Sequence, residues 1–307
     1  MSQRLVYFNG ELISESEARI SIFDCALMFG DMVFEMTRSF NQKPYRLRQH
    51  LNRLYKSMRY AEIDCGLTID QMEDATHQTI EANLPALDNL DFQIMHDVTR
   101  GGLSLYENII REGTAPIVSI NIFPLVRHVG DLASQYKTGS HFVVTSQQSV
   151  PSRYIDPKAK NRSRIFYKIA NLQANRMEEG AMALLTDEHG FITEGTSSNV
   201  FVVKNGEVFT PKPHNILRGI SRQTCLELLI KKNIPSIKDR REDILPLCDY
   251  FLDKYNDTNI INLDLLTYAG NLENLKDIEH KENYSFVKCD ICDFKKVKNI
   301  FKNYKID

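Results

Sequence analysis

Two residues between positions 156 and 199 have the types and surroundings that catalysis requires. Lys160 lies among like charges in the chain, with Lys158, Arg162 and Arg164 close by. Neighbouring cations disfavour the protonated ammonium, so they lower the pKa of a lysine and favour the free, nucleophilic amine. Glu194 follows an apolar run and precedes a short polar one. A basic loop is also typical of a solvated surface, and a Glu-Gly pair is typical of a turn, so composition alone leaves both interpretations open.

The elements that must position these two residues are a helix and a pair of strands. Apolar residues recur near helical spacing after Lys160 and predict an amphipathic helix: Ile165, Ile169, Leu172 and Met177, with Ala170 and Ala174 alongside. Two apolar runs then flank the polar turn at 187–190, which predicts two strands. Lys160 would lie on the loop before the helix, and Glu194 just after the second strand.

Three motifs follow one another in this part of the chain: KNRSRIFY from Lys160, TEGTSSNVF from Thr193 and ILRGISR from Ile216. Together they resemble the fold-type IV pyridoxal-phosphate (PLP) aminotransferases, which include branched-chain and D-amino-acid aminotransferases and aminodeoxychorismate lyases. The resemblance spans roughly residues 4–252. It implies that PLP is the cofactor, that Lys160 forms a Schiff base with it, and that Glu194 faces the pyridine nitrogen.

The same resemblance implies a phosphate site. Arg53, in a helix predicted over 47–60, resembles the family arginine that binds the cofactor phosphate, although an exposed helix arginine is the alternative. Free amides at the start of a helix predicted from Ser221 would complete the site. The residues assigned to the cofactor by resemblance are Arg53, Lys160, Glu194, Ser197, Asn199, Leu217, Gly219, Ile220 and Ser221.

The resemblance also implies a substrate pocket. The alternative for its strand residues is an ordinary half-buried strand, and the alternative for Arg100 is a structural turn. The residues assigned to the pocket are Phe29, Phe34, Met36, Arg38 and Arg100. Phe29 occupies a position that is often tyrosine in branched-chain enzymes. Tyr167 is expected at the cofactor hydroxyl, although Ile165 occupies the position where some members place a tyrosine.

The expected fold class is α/β. A small N-terminal α/β domain is predicted at 1–125, and a larger, barrel-like and truncated PLP-binding domain at 126–251. Asn9-Gly10 predicts a hairpin near the N-terminus. Pro124 to Tyr136 is predicted to connect the two domains.

Composition and charge argue against several other classes. The net charge of −2 gives no electrostatic case for binding nucleic acid or an anionic membrane. No apolar run approaches the ~20 residues that span a bilayer, and the start of the chain lacks the apolar core of a signal peptide, so a cytoplasmic protein is expected. The six cysteines are scattered, and the single CxxC at 289–292 lacks a second pair, so no metal site is predicted.

The last 56 residues differ in character, since all 18 arginines lie before residue 242. The run NIINLDLLTYAGNLENLKDIEHKENYSFVKCDICDF, from Asn259, resembles an internal fragment of the dTDP-glucose 4,6-dehydratases. A partial Rossmann-like fragment of uncertain fold is therefore expected over 252–307. In that NAD-dependent family the acid at the position of Asp264 holds a ribose, and the segment at 290–291 lines the adenine.

NAD binding is nevertheless not expected. The glycine-rich phosphate turn should lie about 20 residues upstream of the acid. The chain has no glycine between Gly219 and Gly270. A Thr-rich loop that continues the aminotransferase fold is also replaced after LPLCDYFL. A fusion or an assembly error is the simplest account, and a genuine adaptor tail is the alternative.

The sequence thus predicts an aminotransferase that acts on an amino acid and a 2-oxo acid, most like the branched-chain group, and that forms a homodimer. An aminodeoxychorismate lyase or a D-amino-acid aminotransferase would keep the fold and change the chemistry. An inactive, truncated chimera is a third hypothesis, of another class.

Overall fold

The computed structural model describes residues 3–110, 113–204, 206–234, 236–238, 260–264, 282, 284–289 and 293–304. The chain divides into two compact units, Met1–Asp239 and Arg240–Asp307. The domain boundary predicted near residue 125, inside the first unit, stays a prediction.

A six-stranded antiparallel sheet begins the first unit, in the order β2-β1-β6-β5-β3-β4. Its strands are β1 (Leu5–Phe8), β2 (Glu11–Ser14), β3 (Met32–Phe40), β4 (Lys43–Pro44), β5 (Phe92–Thr99) and β6 (Val118–Pro124). Asn9 and Gly10 connect β1 to β2 with φ angles of 47° and 100°, the left-handed conformation that a tight hairpin turn requires. The predicted hairpin is confirmed.

Two long helices cover this sheet, α2 (Leu47–Ala61) and α3 (Ile69–Leu87), after a short helix α1 (Cys25–Phe29). Thr68 and Gln71 form a capping box that starts α3. The apolar residues of α2 and α3 meet those of the central strands in one buried core, which includes Val33, Leu51, Leu54, Met72, Ile94 and Ile120. This core makes the sheet and α2 a rigid support for side chains at the edge of α2.

Two smaller sheets follow the connecting helices α4 (Leu125–Val129) and α5 (Gln135–Thr138). Strand β7 (Phe142–Val144) pairs in parallel with β8 (Met182–Thr186), and β8 pairs antiparallel with β9 (Ile192–Gly195). Helix α6 (Ile165–Met177) connects β7 to β8. The second sheet contains β10 (Val202–Lys204), β11 (Glu207–Thr210) and β12 (Ser236–Lys238), with α7 (Ile220–Lys231) between β11 and β12.

Helix α6 buries only the alanines of its predicted apolar set. Ala170 and Ala174 are fully buried against Ala183 and Leu185 of β8. The four larger residues of the predicted set are exposed by 38–77%: Ile165, Ile169, Leu172 and Met177. Small alanines occupy the contact because they let the helix backbone approach the strand closely, and the larger apolar side chains then point outward.

In the second unit, β13 (Ile260–Asp264) and β14 (Tyr284–Lys288) pair in parallel, and α8 (Phe294–Tyr304) follows. A parallel pair followed by a helix is compatible with the expected Rossmann-like fragment. Residues 290–291, expected to line an adenine, lie outside the described residues. Within the described ranges, no helix is both long and apolar enough to cross a membrane.

Candidate active site

The backbone of Lys160 is held by helix α2 and strand β3. The Lys160 N–H donates to the Ser57 hydroxyl on α2 at 3.0 Å. On the other side, the Phe34 N–H of β3 donates to the Lys160 carbonyl at 3.0 Å, and the Arg162 N–H donates to the Met32 carbonyl at 3.1 Å. The segment after β7 therefore runs antiparallel along the start of β3, which fixes where the lysine side chain begins.

The amine of Lys160 lies in a poorly hydrated, cationic environment. Its Nζ is 4.4 Å from the centroid of the Phe34 ring. Burial lowers the pKa of Lys160 to about 7, and the positive charge of Arg164 contributes to the same shift. A substantial fraction of the amine is thus unprotonated at neutral pH, which is the state that attacks an electrophile.

Glu194 is a buried carboxylate at the end of β9, only 5% exposed. Its Oε1 accepts a hydrogen bond from the Tyr167 hydroxyl of α6 at 2.8 Å. Its Oε2 accepts from the Leu217 N–H at 3.0 Å and from the Asn199 side-chain amide at 3.3 Å. Burial raises the pKa of Glu194, while the hydrogen bonds from Tyr167 and Leu217 oppose the rise. The carboxylate is held in a fixed orientation.

Arg53 lies on α2 and is fixed by a carboxylate that the sequence analysis did not single out. Glu35 of β3, completely buried, accepts from Arg53 Nε at 2.6 Å and from Nη2 at 2.8 Å. His50 Nδ1 lies 2.8 Å from the same carboxylate. Burial alone would raise the pKa of Glu35, but the hydrogen bonds from Arg53 and His50 outweigh it and lower the pKa to about 2.

The remaining edge of the Arg53 guanidinium points at a turn of the second half of the unit. Arg53 Nη1 donates to the Arg218 carbonyl at 2.9 Å. Residues 217–219 form this turn, in which the Gly219 N–H donates to the Leu217 carbonyl at 2.9 Å. Helix α7 starts directly after the turn, and its N-cap Gly219 provides no side-chain cap. The first amides of α7 therefore lack helical partners next to a guanidinium, an arrangement that binds anions.

A side chain at position 219 would collide with Asn199. A Cβ on Gly219 would lie 2.1 Å from Asn199 Oδ1. Asn199 in turn donates to the Leu217 carbonyl at 2.9 Å and bonds to Glu194. Asn199 thus ties the carboxylate of β9 to the turn before α7.

The sequence-assigned cofactor residues therefore occupy one region. Lys160, Glu194, Arg53, Asn199, Leu217 and Gly219 are linked through shared hydrogen bonds or shared neighbours. Ser197, Ile220 and Ser221 line a neighbouring open cleft. Lys160 is not among the residues that line this cleft.

Two of the residues assigned to substrate also reach that cleft. Met36 and Arg38 line it together with Val126 and Val129 of α4. Phe34 lies on the same face of β3, two residues before Met36, and contacts the Lys160 amine. One face of β3 thus contacts the Lys160 amine through Phe34 and lines the cleft through Met36 and Arg38.

Phe29 and Arg100 are placed differently. The Phe29 side chain is 61% exposed at the end of α1. Arg100 forms an ion pair with Asp31, and Nη1 donates to the Glu62 carbonyl at 3.1 Å. These contacts hold the turn at Gly101, whose φ of 90° and tight backbone surroundings require glycine. The assignment of Arg100 to substrate stays a prediction, with the structural turn as its alternative.

Three residues of the site were not identified from the sequence: Glu35, His50 and Ser57. Glu35 had a usable signal, since it is a charged residue between the apolar Phe34 and Met36, and a charged residue is expected to be paired when buried. His50, Arg53 and Ser57 follow one another at spacings of three and four, so they share one stripe of α2. That stripe also includes Tyr60, whose hydroxyl accepts from the Asp156 N–H at 2.9 Å.

A buried amine and a buried carboxylate beside an anion-binding turn define an enzyme site. Comparison with known proteins agrees with this class. The family described as amino-transferase class IV matches residues 32–247, and the chain belongs to this family. A second family, described as GDP-mannose 4,6 dehydratase, matches residues 246–307, which begin where the first match ends. The two expected resemblances are confirmed at family level, with their junction near residue 247.

Individual relatives give the same result. A putative branched-chain-amino-acid aminotransferase of Methanocaldococcus jannaschii is 32% identical over 236 residues, covering 76% of this chain and 77% of the relative. D-alanine aminotransferase of Bacillus licheniformis is 28% identical over 224 residues, covering 73% and 74%. The branched-chain amino acid aminotransferase from Thermobaculum terrenum, solved in its PLP-form, has a TM-score of 0.65 at 23% identity, covering 78% of this chain and 78% of that chain. The expected α/β fold class is confirmed.

Proposed function

We propose that this protein is a PLP-dependent aminotransferase that moves an amino group from an amino acid to a 2-oxo acid, most like the branched-chain group. The observation that carries the proposal is that one site contains both the buried Lys160 amine, with its pKa lowered to about 7, and the buried Glu194 carboxylate. Membership of the class IV aminotransferase family supports it.

The residues present fit the phosphate end of the cofactor. Arg53 offers a guanidinium edge at the turn before α7, and the first amides of α7 begin at the same turn. Guanidinium groups suit phosphate because their paired N–H donors match its oxygens. The absence of a side chain at Gly219 leaves room at this turn.

The ring end fits as well. When bound, PLP supplies an aldehyde that condenses with amines and a ring that withdraws electrons from the substrate carbon. Glu194 would hold a proton at the ring nitrogen, because its carboxylate is buried and fixed by Tyr167. Lys160 would take a proton from the substrate Cα and return a proton to the carbon that carries the PLP aldehyde, on the other side of the bridging nitrogen, a task that needs an amine titrating near neutral pH.

The open cleft suits the side chain of an apolar amino acid. Its apolar lining includes Met36, Phe40, Leu125, Val126, Val129 and Ile220. Purified full-length protein should be screened with PLP, a 2-oxo acid acceptor and a panel of L- and D-amino acids. Fastest turnover with branched aliphatic L-amino acids is the expected result. Turnover of D-amino acids alone would favour the D-amino-acid alternative, and aminodeoxychorismate consumption without amino transfer would favour the lyase.

An inactive chimera is the second candidate, and the adjoining family matches near residue 247 favour it specifically. The aminotransferase match ends where the dehydratase match begins, so later phosphate contacts of the family would be missing. A cofactor titration separates the candidates, because an inactive chimera would bind PLP weakly and show no amino transfer.

We also propose that the protein is a homodimer. The exposed stripe of α6, with Ile165 77% and Leu172 47% exposed, supports an interface with a second copy. Analytical ultracentrifugation of the protein and of an Ile165→Lys variant would test this. A monomer at micromolar concentration would contradict the proposal.

We propose that residues 252–307 bind no NAD, because the glycine-rich turn of a dinucleotide site is absent from the sequence upstream of Asp264. Calorimetry with NAD should give no heat of binding, and a measurable affinity would contradict this. The expected cytoplasmic location stays a prediction.

A further inference from the structure

Arg164 is a cation of the site that forms no ion pair with a carboxylate among the residues that the structure describes. Its Nε donates to the Asn161 carbonyl at 2.7 Å, which folds the side chain back over the loop after Lys160. Its guanidinium carbon lies 5.2 Å from the Phe34 ring centroid and 5.0 Å from the Tyr167 ring centroid. Phe34 contacts the Lys160 amine, and Tyr167 bonds to Glu194. Arg164 therefore lies between the groups proposed for the two ends of the cofactor ring.

Three neighbouring charged groups, Arg53, Arg162 and Glu194, already have hydrogen-bond partners. Arg53 is bound to Glu35, and Arg162 donates from Nη2 to Asp97 at 3.2 Å. Glu194 accepts from Tyr167, Asn199 and the Leu217 amide. In the described part of the chain, no ion pair joins Arg164 to a carboxylate.

The Arg164 side chain also borders a cavity. It lines one cavity together with Asn161, Tyr167 and Glu194. A half-buried guanidinium beside such a cavity fits an anionic ligand, because burying an unpaired cation is costly.

We propose that Arg164, rather than Tyr167, whose hydroxyl donates to Glu194, binds the 3-oxygen of the PLP ring. This oxygen is the cofactor hydroxyl oxygen, which is anionic when deprotonated and lies next to the carbon that carries the aldehyde. This inference rests on the proposed function. PLP has two anionic parts, and its phosphate is already matched by Arg53 and the start of α7. The 3-oxygen is bonded to the ring carbon that lies between the carbon bearing the aldehyde and the carbon next to the ring nitrogen. A cation placed between the lysine and the carboxylate matches that oxygen.

The consequence is a role for Arg164 in the protonation of the site. The charged and titratable groups that face it are Lys160, Arg53, Arg162, Glu194 and Tyr167. A cation bound to the 3-oxygen stabilises its negative charge and disfavours an additional proton on the nearby nitrogen of Lys160. After burial, the positive charge of Arg164 is the leading cause that lowers the pKa of Lys160, which agrees with this role.

The test compares PLP with 3-deoxypyridoxal 5'-phosphate, which lacks the oxygen. Affinities of both compounds would be measured by equilibrium titration for the unsubstituted full-length protein, Arg164→Gln and Arg164→Lys. Arg176→Gln, at an exposed position in the last turn of α6, is the matched control. The intrinsic difference between the compounds is the same for every variant, so the change in their affinity ratio isolates Arg164.

We expect Arg164→Gln to reduce the preference for PLP over the deoxy compound by about tenfold or more, the range of a charge-assisted hydrogen bond. Arg164→Lys should keep part of the preference, and Arg176→Gln should keep all of it. The visible absorption band of bound PLP changes with pH. In Arg164→Gln the midpoint of this change should lie about one pH unit higher than in the unsubstituted protein, since a cation has been removed.

An unchanged preference in a folded Arg164→Gln variant would overturn the inference while leaving the proposed function intact. Loss of 2-oxo acid binding with an unchanged preference would assign Arg164 to the substrate carboxylate and would overturn it equally. If thermal unfolding shows that Arg164→Gln does not fold, an unchanged preference in Arg164→Met would overturn the inference. Failure of the unsubstituted protein to bind PLP would overturn the proposed function and this inference together.

Discussion

The carboxylate of Glu35 binds the guanidinium of Arg53 at two points, 2.6 Å from Nε and 2.8 Å from Nη2, inside the protein. Only the outer edge of the guanidinium is left to face the turn before α7. A strand residue with no access to solvent thus sets the direction in which a helix residue can bind an anion.

Replacing Glu35 with Gln should lower both the folding stability of the protein and the affinity of its phosphate site. Removal of one partner from a buried ion pair costs about 3–5 kcal/mol of folding stability, because the other charge remains buried. Chemical denaturation measures this loss. The affinity for PLP should fall more than the affinity for pyridoxal, which has no phosphate, and equal losses for both would contradict the positioning role.

The acid stability of the protein should also depend on Glu35. The folded pKa of about 2 lies below the unfolded value of about 4.3, so the unfolded state binds more protons between these values. The stabilisation is present above about pH 4 and is lost as the pH falls towards 2. Denaturation curves between about pH 2 and 6 should show a flatter pH dependence for Glu35→Gln, and parallel curves would contradict the assignment.

Lys160 should contribute a second pH dependence of stability, at higher pH. Its folded pKa of about 7 lies below the unfolded value of about 10.4, so the unfolded state binds more protons in this interval. Stability should therefore rise with pH between about 7 and 10, and Lys160→Met should remove that rise. The rate of PLP capture should also increase through about pH 7. A rate that increases only near about pH 10 would show that the amine is not perturbed.

Gly219→Ala tests the turn before α7. Its φ of −62° tolerates alanine, so the obstacle is the Asn199 side chain. Displacing Asn199 would disturb Leu217 and Glu194, and overpacking of this kind costs about 1–3 kcal/mol. We expect reduced stability and weaker PLP binding by titration. An Asn199→Ala, Gly219→Ala double variant should relieve the clash, and an additive loss would contradict this explanation.

Glu194→Gln should leave cofactor binding largely intact and slow amino transfer strongly, because a neutral amide cannot hold a proton at the ring nitrogen. Stopped-flow absorbance with a good amino donor measures the half-reaction. An undiminished rate in the Gln variant would mean that another group protonates the ring.

The sequence predicted local structure well where side-chain pattern alone decides it. The Asn9-Gly10 hairpin and the helix at Leu47–Ala61 are examples, since turn chemistry and one apolar face determine each. The sequence predicted the apolar residues of α6 but not which of them are buried, because the choice between Ala170 and Ile169 depends on how closely β8 approaches. That distance is a tertiary property.

The same limit applies to the site. The three ordered motifs identified Lys160, Glu194 and Gly219, each of which lies in its own short motif. Glu35 and Ser57 act through contacts with Arg53 and Lys160 that are 18 and 103 residues away in the chain. Such contacts exist only once β3, α2 and the Lys160 loop are assembled, so no local pattern reveals them.

The most direct test of the account is to identify the residue that holds PLP. The full-length protein would be loaded with PLP, reduced with borohydride, digested and analysed by mass spectrometry, with Lys160→Ala, Lys158→Ala and Lys168→Ala treated in parallel. We predict a phosphopyridoxyl group on Lys160 alone, retained in the Lys158→Ala and Lys168→Ala variants and lost in Lys160→Ala. A modified Lys158 or Lys168 in the unsubstituted protein, or an unchanged yield in Lys160→Ala, would contradict it.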